Sequence, residues 1–84
     1  MNRYLVVLMR RPSFDPAAVP LHREFLEALR AQGRNELSGP FGDKSGGAYL
    51  LRAESLDEAW TIAHGDPCHT SGGWEITLHE WLAV

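Results

Sequence analysis

The chain has only one cysteine, Cys68, which excludes an internal disulfide framework of the kind that holds many secreted domains of this size together. It has no apolar run of about 18 residues, the minimum for a membrane-spanning helix. It shows no charged-then-apolar leader with a small-residue cleavage site, so the expectation is a cytoplasmic protein. Basic residues are scarce, and the formal net charge is −3. Arg10 and Arg11 are the only adjacent basic pair, which leaves no stripe to neutralise phosphates and argues against nucleic acid. Internal repeats and low-complexity segments are also missing.

What is present is an ordinary globular composition, 44% apolar and 23% charged, over 84 residues. That length implies a single domain, residues 1–84, near the size where one core barely suffices. Arg3 to Arg10 is a continuous apolar run between arginines and reads as a strand buried on both faces. A helix is expected from about Pro20 to Gln32, with proline in its opening turn and Gly33 in the left-handed position after its end. Arg34 to Ser38 is a polar, edge-type strand, and Gly39 to Gly47 a turn-rich connection. Ala48 to Ala53 is a third strand. Ser55-Leu56-Asp57-Glu58 has the spacing of a capping box and opens a second helix, which ends near Gly65-Asp66-Pro67. Trp74, Ile76 and Leu78 alternate with Glu75, Thr77 and His79 in a final strand.

Strand, helix, strand, strand, helix, strand is the split βαβ order of an α+β, ferredoxin-like domain with a four-stranded antiparallel sheet. Two helices cover one face of such a sheet. A first strand apolar on both sides therefore calls for a second cover, and a homodimer packed sheet to sheet supplies it. Trp81 is assigned to that subunit interface.

His22 is the residue that points furthest toward function. Leu21, Phe25, Leu26 and Leu29 recur at helical spacing, and at about 100° per residue His22 falls inside their arc. Arg23, Glu24, Glu27 and Arg30 fall on the other side. An imidazole in an apolar stripe needs a polar partner. In the ferredoxin-like topology the first helix starts, and the second helix ends, at one edge of the sheet. That edge brings His22 and Asp66 together, along with Arg10 and Arg11 from the first strand and Ser38 and Gly39 from the second. A carboxylate on one imidazole nitrogen fixes the tautomer and frees the other nitrogen for a substrate proton, which is general acid–base chemistry. The alternatives are that Asp66 merely satisfies a buried histidine, or that Asp66-Pro67 only opens a turn.

His64, Asp66, Cys68 and His69 crowd into six positions, but their spacing matches no standard zinc motif and they straddle a proline turn, so no metal is expected. Cys68 follows a helix C-terminus, where the dipole raises a thiol pKa and disfavours a nucleophile. The stretch from Gly39 to Gly47 lacks phosphate-loop spacing. Arg10, Arg11, Ser38, Gly39 and His69 are the candidate substrate contacts.

Several elements, in this order, resemble the YciI-like (YCII-related) proteins of the dimeric α+β barrel superfamily, over nearly the whole chain. They are the apolar opening strand, His22-x-x-Phe25-Leu26-x-x-Leu29 with Gly33, and Ser38-Gly39-Pro40-Phe41. Gly46-Gly47, Ser55-Leu56-Asp57-Glu58-Ala59 and Asp66-Pro67 complete them. The resemblance implies a ferredoxin-like fold, a homodimer and an active-site pair at His22 and Asp66. One branch of the family is associated with cofactor-independent dehydrochlorination of a chlorinated hydroxyquinol, which implies lyase chemistry without a cofactor. The chain departs from the family at Cys68-His69, where an aromatic or aliphatic residue often follows the Asp-Pro pair, and at the polar Asn35-Glu36. Three functions follow as expectations. They are a cofactor-independent lyase or isomerase acting on a small organic, phenolic or quinol-like substrate; a non-catalytic module that senses a small metabolite; and a cofactor-free monooxygenase.

Overall fold

The apolar run near the N-terminus forms β1 (Asn2–Arg10), an inner strand of a four-stranded sheet in the computed structural model, which describes residues 1–84. The remaining elements are α1 (Ala18–Ala31), β2 (Asn35–Pro40), β3 (Gly46–Ala53), α2 (Leu56–His64), α3 (Pro67–Thr70) and β4 (Trp74–Glu80). The sheet order is β2-β3-β1-β4 with every neighbour antiparallel, which is the ferredoxin-like arrangement expected from the element order. β2 lies at an edge, as its polarity implies. No helix is long and apolar enough to cross a membrane.

Alternation along β1 puts Tyr4, Val6, Leu8 and Arg10 on the helix-covered face. Their register partners Leu51, Tyr49 and Gly47 on β3, and Leu78, Ile76 and Trp74 on β4, share that face. Tyr4, Val6, Leu8, Tyr49, Leu51 and Trp74 are buried there with Ala18, Leu29, Ala59 and Ala63 from the helices. The opposite face holds Leu5, Val7 and Met9 beside Ala48 and Leu50, and of these only Leu50 is buried within the chain. Leu5 and Val7 are half-buried, Met9 is 40% exposed, and Leu37 on the edge strand is 70% exposed. The expectation that β1 is buried on both sides therefore holds for one face only within a single chain.

Helix α1 starts earlier than the sequence suggests. The Asp15 carboxylate accepts the Ala17 N–H at 2.9 Å, so the chain is already coiled before Pro20, which sits in the opening turn where its missing N–H is harmless. The helix ends as expected: Gly33 has φ 73°, its N–H donates to the Arg30 carbonyl, and the Arg34 N–H donates to that of Leu29. The Ser55 hydroxyl accepts from the Glu58 N–H, but the Glu58 carboxylate reaches back one residue further, to the Glu54 N–H. Glu58 also receives Arg34 at 2.7 Å, joining the end of α1 to the start of α2.

β2 extends through Pro40 and β3 begins at Gly46, so the expected long connection is a tight hairpin. Gly46 is obligatory for this pairing, because a Cβ there would collide with the Leu8 carbonyl. The short α3 occupies a stretch whose sequence predicts only a proline turn.

Candidate functional site

Beneath α1, at the end of the sheet where β1 and β2 finish and β3 and β4 begin, lies a cavity of about 450 Å³. Leu8, Val19, Leu26 and Trp74 supply its apolar lining. Ser38 to Pro40 and Gly46 to Ala48 contribute a wall poor in side chains, and Cys68 closes it from α3.

His22 lines this cavity from the buried stripe of α1, which runs through Ala18, His22, Phe25, Leu26 and Leu29; Leu21, placed on the stripe from sequence, is 53% exposed. Nδ1 of His22 lies 2.8 Å from both carboxylate oxygens of Asp66. The histidine side chain is 18% exposed and the aspartate fully buried. Asp66 is also the N-cap of α3: its Oδ1 accepts the Cys68 N–H at 2.9 Å, and its own carbonyl accepts from His69 and Thr70. The turn-opening role and the histidine-pairing role are thus filled by one carboxylate. Proline at the first position of α3 fits the same cap, since its absent N–H would have had no acceptor.

Cys68 follows the end of α2, as expected, but it also lies in the first turn of α3. Its thiol pKa is raised, to about 12, first by burial and then by the neighbouring Asp66 carboxylate. His22, Asp66 and Cys68 bring one nitrogen, one oxygen and one sulfur within 4.8 Å of one another, a donor set suited to zinc. This is a different cluster from the His64-to-His69 crowd considered in the sequence. As arranged, both Asp66 oxygens already meet Nδ1 of His22, and Oδ1 also accepts the Cys68 amide.

Of the candidate contacts, Arg10, Ser38 and Gly39 line the cavity, whereas Arg11 and His69 do not. Arg10 is on the helix face of β1. Arg11, the next residue, leaves the strand, and its amide and guanidinium bond the Gly73 and Gly72 carbonyls. His69 follows the buried Cys68 by about 100° of helix and points away, stacked on His64 at 4.4 Å. The Ser38 hydroxyl accepts from Arg30 at 3.2 Å and from Asn35 at 3.3 Å.

Two neighbours of the site were not singled out from sequence. Arg23, assigned to the solvent side of α1, lines the cavity with Glu27, because the hollow opens along the flank of the helix and takes in residues bordering the stripe. Tyr49 is buried on β3 with its ring 6.4 Å from that of His22, and its hydroxyl has no hydrogen-bond partner. Burial raises its phenol pKa, with smaller contributions from Asp66 and Cys68. In sequence it is indistinguishable from any aromatic strand residue.

A family model described as the YCII-related domain matches residues 3–81. The uncharacterised protein YjpA of Bacillus subtilis (strain 168) is 46% identical over 81 residues, covering 96% of this chain and 95% of that protein. Among solved structures, the fold is similar to 5-chloro-2-hydroxyhydroquinone dehydrochlorinase (TftG) from Burkholderia phenoliruptrix AC1100 in complex with 2,5-dihydroxybenzoquinone. The TM-score is 0.74 at 23% identity, covering 94% of this chain and 92% of that one.

Proposed function

The chain belongs to the YCII-related family, and on that footing we propose that it is a small, cofactor-independent enzyme of the lyase or isomerase kind. The observation that carries this is the 2.8 Å contact of both Asp66 oxygens with Nδ1 of a histidine that lines a cavity. An ionised carboxylate only accepts, so the proton sits on Nδ1 and Nε2 keeps its lone pair. Nε2 then takes a proton from an activated carbon or hydroxyl of the substrate, and Asp66 stabilises the imidazolium that forms. In an elimination the C–H electron pair becomes the new π bond and the leaving group departs with its own pair. In an isomerisation His22 returns the proton at another atom. Proton transfer of this kind needs no electron carrier, which is the basis for leaving a cofactor out.

The class of reaction draws support from TftG, whose name describes a dehydrochlorinase and which carries a dihydroxybenzoquinone on a similar fold. A cavity of about 450 Å³ suits a ligand of that size, a small, phenolic or quinol-like organic molecule. A homodimer belongs to the same proposal: the sheet face with half-buried Leu5 and Val7 and exposed Met9 and Leu37 is where a second copy would pack.

A thermal-shift screen of small phenols, quinols and ring acids, followed by mass spectrometry of the hits, tests the proposal. Turnover is expected, and His22→Ala and Asp66→Asn should each lower it by roughly 10²–10⁴-fold with the fold intact. Hits that raise Tm yet emerge chemically unchanged would mark a binding module instead.

A further inference from the structure

Four arginines of the chain are matched by carboxylates: Arg3 and Arg52 with Glu36, Arg30 with Glu27 and Arg34 with Glu58. Arg10 and Arg23 are not, and both line the cavity beside His22. Glu27 also lines it, but its charge is shared with Arg30 at 3.5 Å, and Asp66 lies buried behind His22. The hollow therefore carries two guanidiniums with no carboxylate in ion-pairing contact, against an otherwise largely apolar lining.

Arg10 is held in place for such a role. Its guanidinium lies 4.6 Å over the ring of Phe14, which in turn meets Trp74 edge to face at 5.5 Å. The ring accepts no N–H in its plane, so the guanidinium keeps donors for the planar fork that suits a carboxylate. Arg23 follows His22 directly on α1 and stands exposed at the mouth. Between them, Leu8, Val19, Leu26 and Trp74 offer apolar surface to a ring but no further charge.

We infer that Arg10 and Arg23 make this cavity selective for small single-ring organic acids, bound as carboxylate anions with the ring against Leu8 and Trp74. This rests on the proposed function only in taking the same cavity as the substrate site, and it deepens that proposal by naming the substrate class. Neutral molecules of the same shape forgo the charge-assisted bonds to the two guanidiniums, and bind more weakly.

The test is binding of benzoate, salicylate and cinnamate against benzamide, salicylamide and cinnamamide, followed by NMR titration of the full-length protein at neutral pH. Each acid is expected to bind about tenfold more tightly than its amide, and the preference should shrink as salt is raised. Arg10→Gln and Arg23→Gln should each erase most of that preference while leaving amide affinity in place. Arg11→Gln, next in sequence but outside the cavity, should leave it unchanged. Where Arg10→Gln disturbs the Phe14 contact, Arg10→Lys keeps a charge without the fork and should give an intermediate preference. Amides binding as well as acids, no binding by either, or a preference that survives both glutamine variants would overturn the inference. These probes bind without reacting, so such a failure leaves the acid–base proposal standing, whereas normal turnover by His22→Ala would remove that proposal and leave the anion selectivity intact.

Discussion

Cys68 donates its backbone N–H at 2.9 Å to Oδ1 of Asp66, an oxygen that also lies 2.8 Å from Nδ1 of His22. One buried carboxylate thus fixes both the start of α3 and the imidazole across the cavity rim. Replacing it separates the two roles. Asp66→Asn keeps an accepting oxygen for the cap, so stability should stay within about 1 kcal/mol of wild type while the imidazole loses its anion. Asp66→Ala removes the cap, worth about 1 kcal/mol, and strands Nδ1 at a further cost of about 1–3 kcal/mol. Urea unfolding of the two variants measures the difference, and equal losses would show that an amide oxygen does not replace the carboxylate at the cap.

The Cys68 thiol makes stability depend on alkaline pH. Its folded pKa is raised from 9.0 to about 12, so the folded state retains a proton that the unfolded chain gives up. The contribution is complete below pH 9 and is lost as pH rises from there toward 12. Wild type should therefore lose Tm faster than Cys68→Ala across that window. Alkylation of the native thiol by iodoacetamide should be slow at pH 8 and speed up only on unfolding.

Glu58 acts in the opposite direction, at acid pH. The Arg34 guanidinium bonded to its carboxylate, and next the Glu54 amide, hold its pKa below the ordinary 4.5. A depressed carboxylate stabilises the fold above its unfolded pKa and ceases to do so as pH falls through the folded value. The Tm gap between wild type and Glu58→Gln should be widest near neutrality and close below pH 4.5.

Gly46→Ala should destabilise the fold by about 1–3 kcal/mol, because the added methyl meets the Leu8 carbonyl and neither strand can move without breaking the ladder. Gly42→Ala, in open space at the hairpin, is the control and should cost little. Chemical denaturation of both variants checks the contrast.

Much of this site could be read in one dimension. The period of Phe25, Leu26 and Leu29 puts His22 in an apolar arc, and the order of elements brings Asp66 to the same end of the sheet; the pair meets there. The capping serine and Gly33 were equally visible, because each answers a local backbone demand. Four residues of α3 are too few to show a helical period, so the turn containing Cys68 carried only the Asp-Pro signal at its start. Arg23 and Glu27 read as solvent-facing because a helical wheel knows the axis of α1 but not the hollow beside it.

Local rules acting over a few residues, namely periodicity, caps and turn chemistry, set the elements and their order in this chain, and chain order with antiparallel pairing then left little freedom in where His22 and Asp66 would meet. Which side chains share the cavity depends on how far α1 stands from the sheet and how closely β3 approaches β1. Those distances come from the packing of residues far apart in the chain. That is why Arg10 faces inward while Arg11 does not, and why Tyr49 and Arg23 joined the site without announcing themselves.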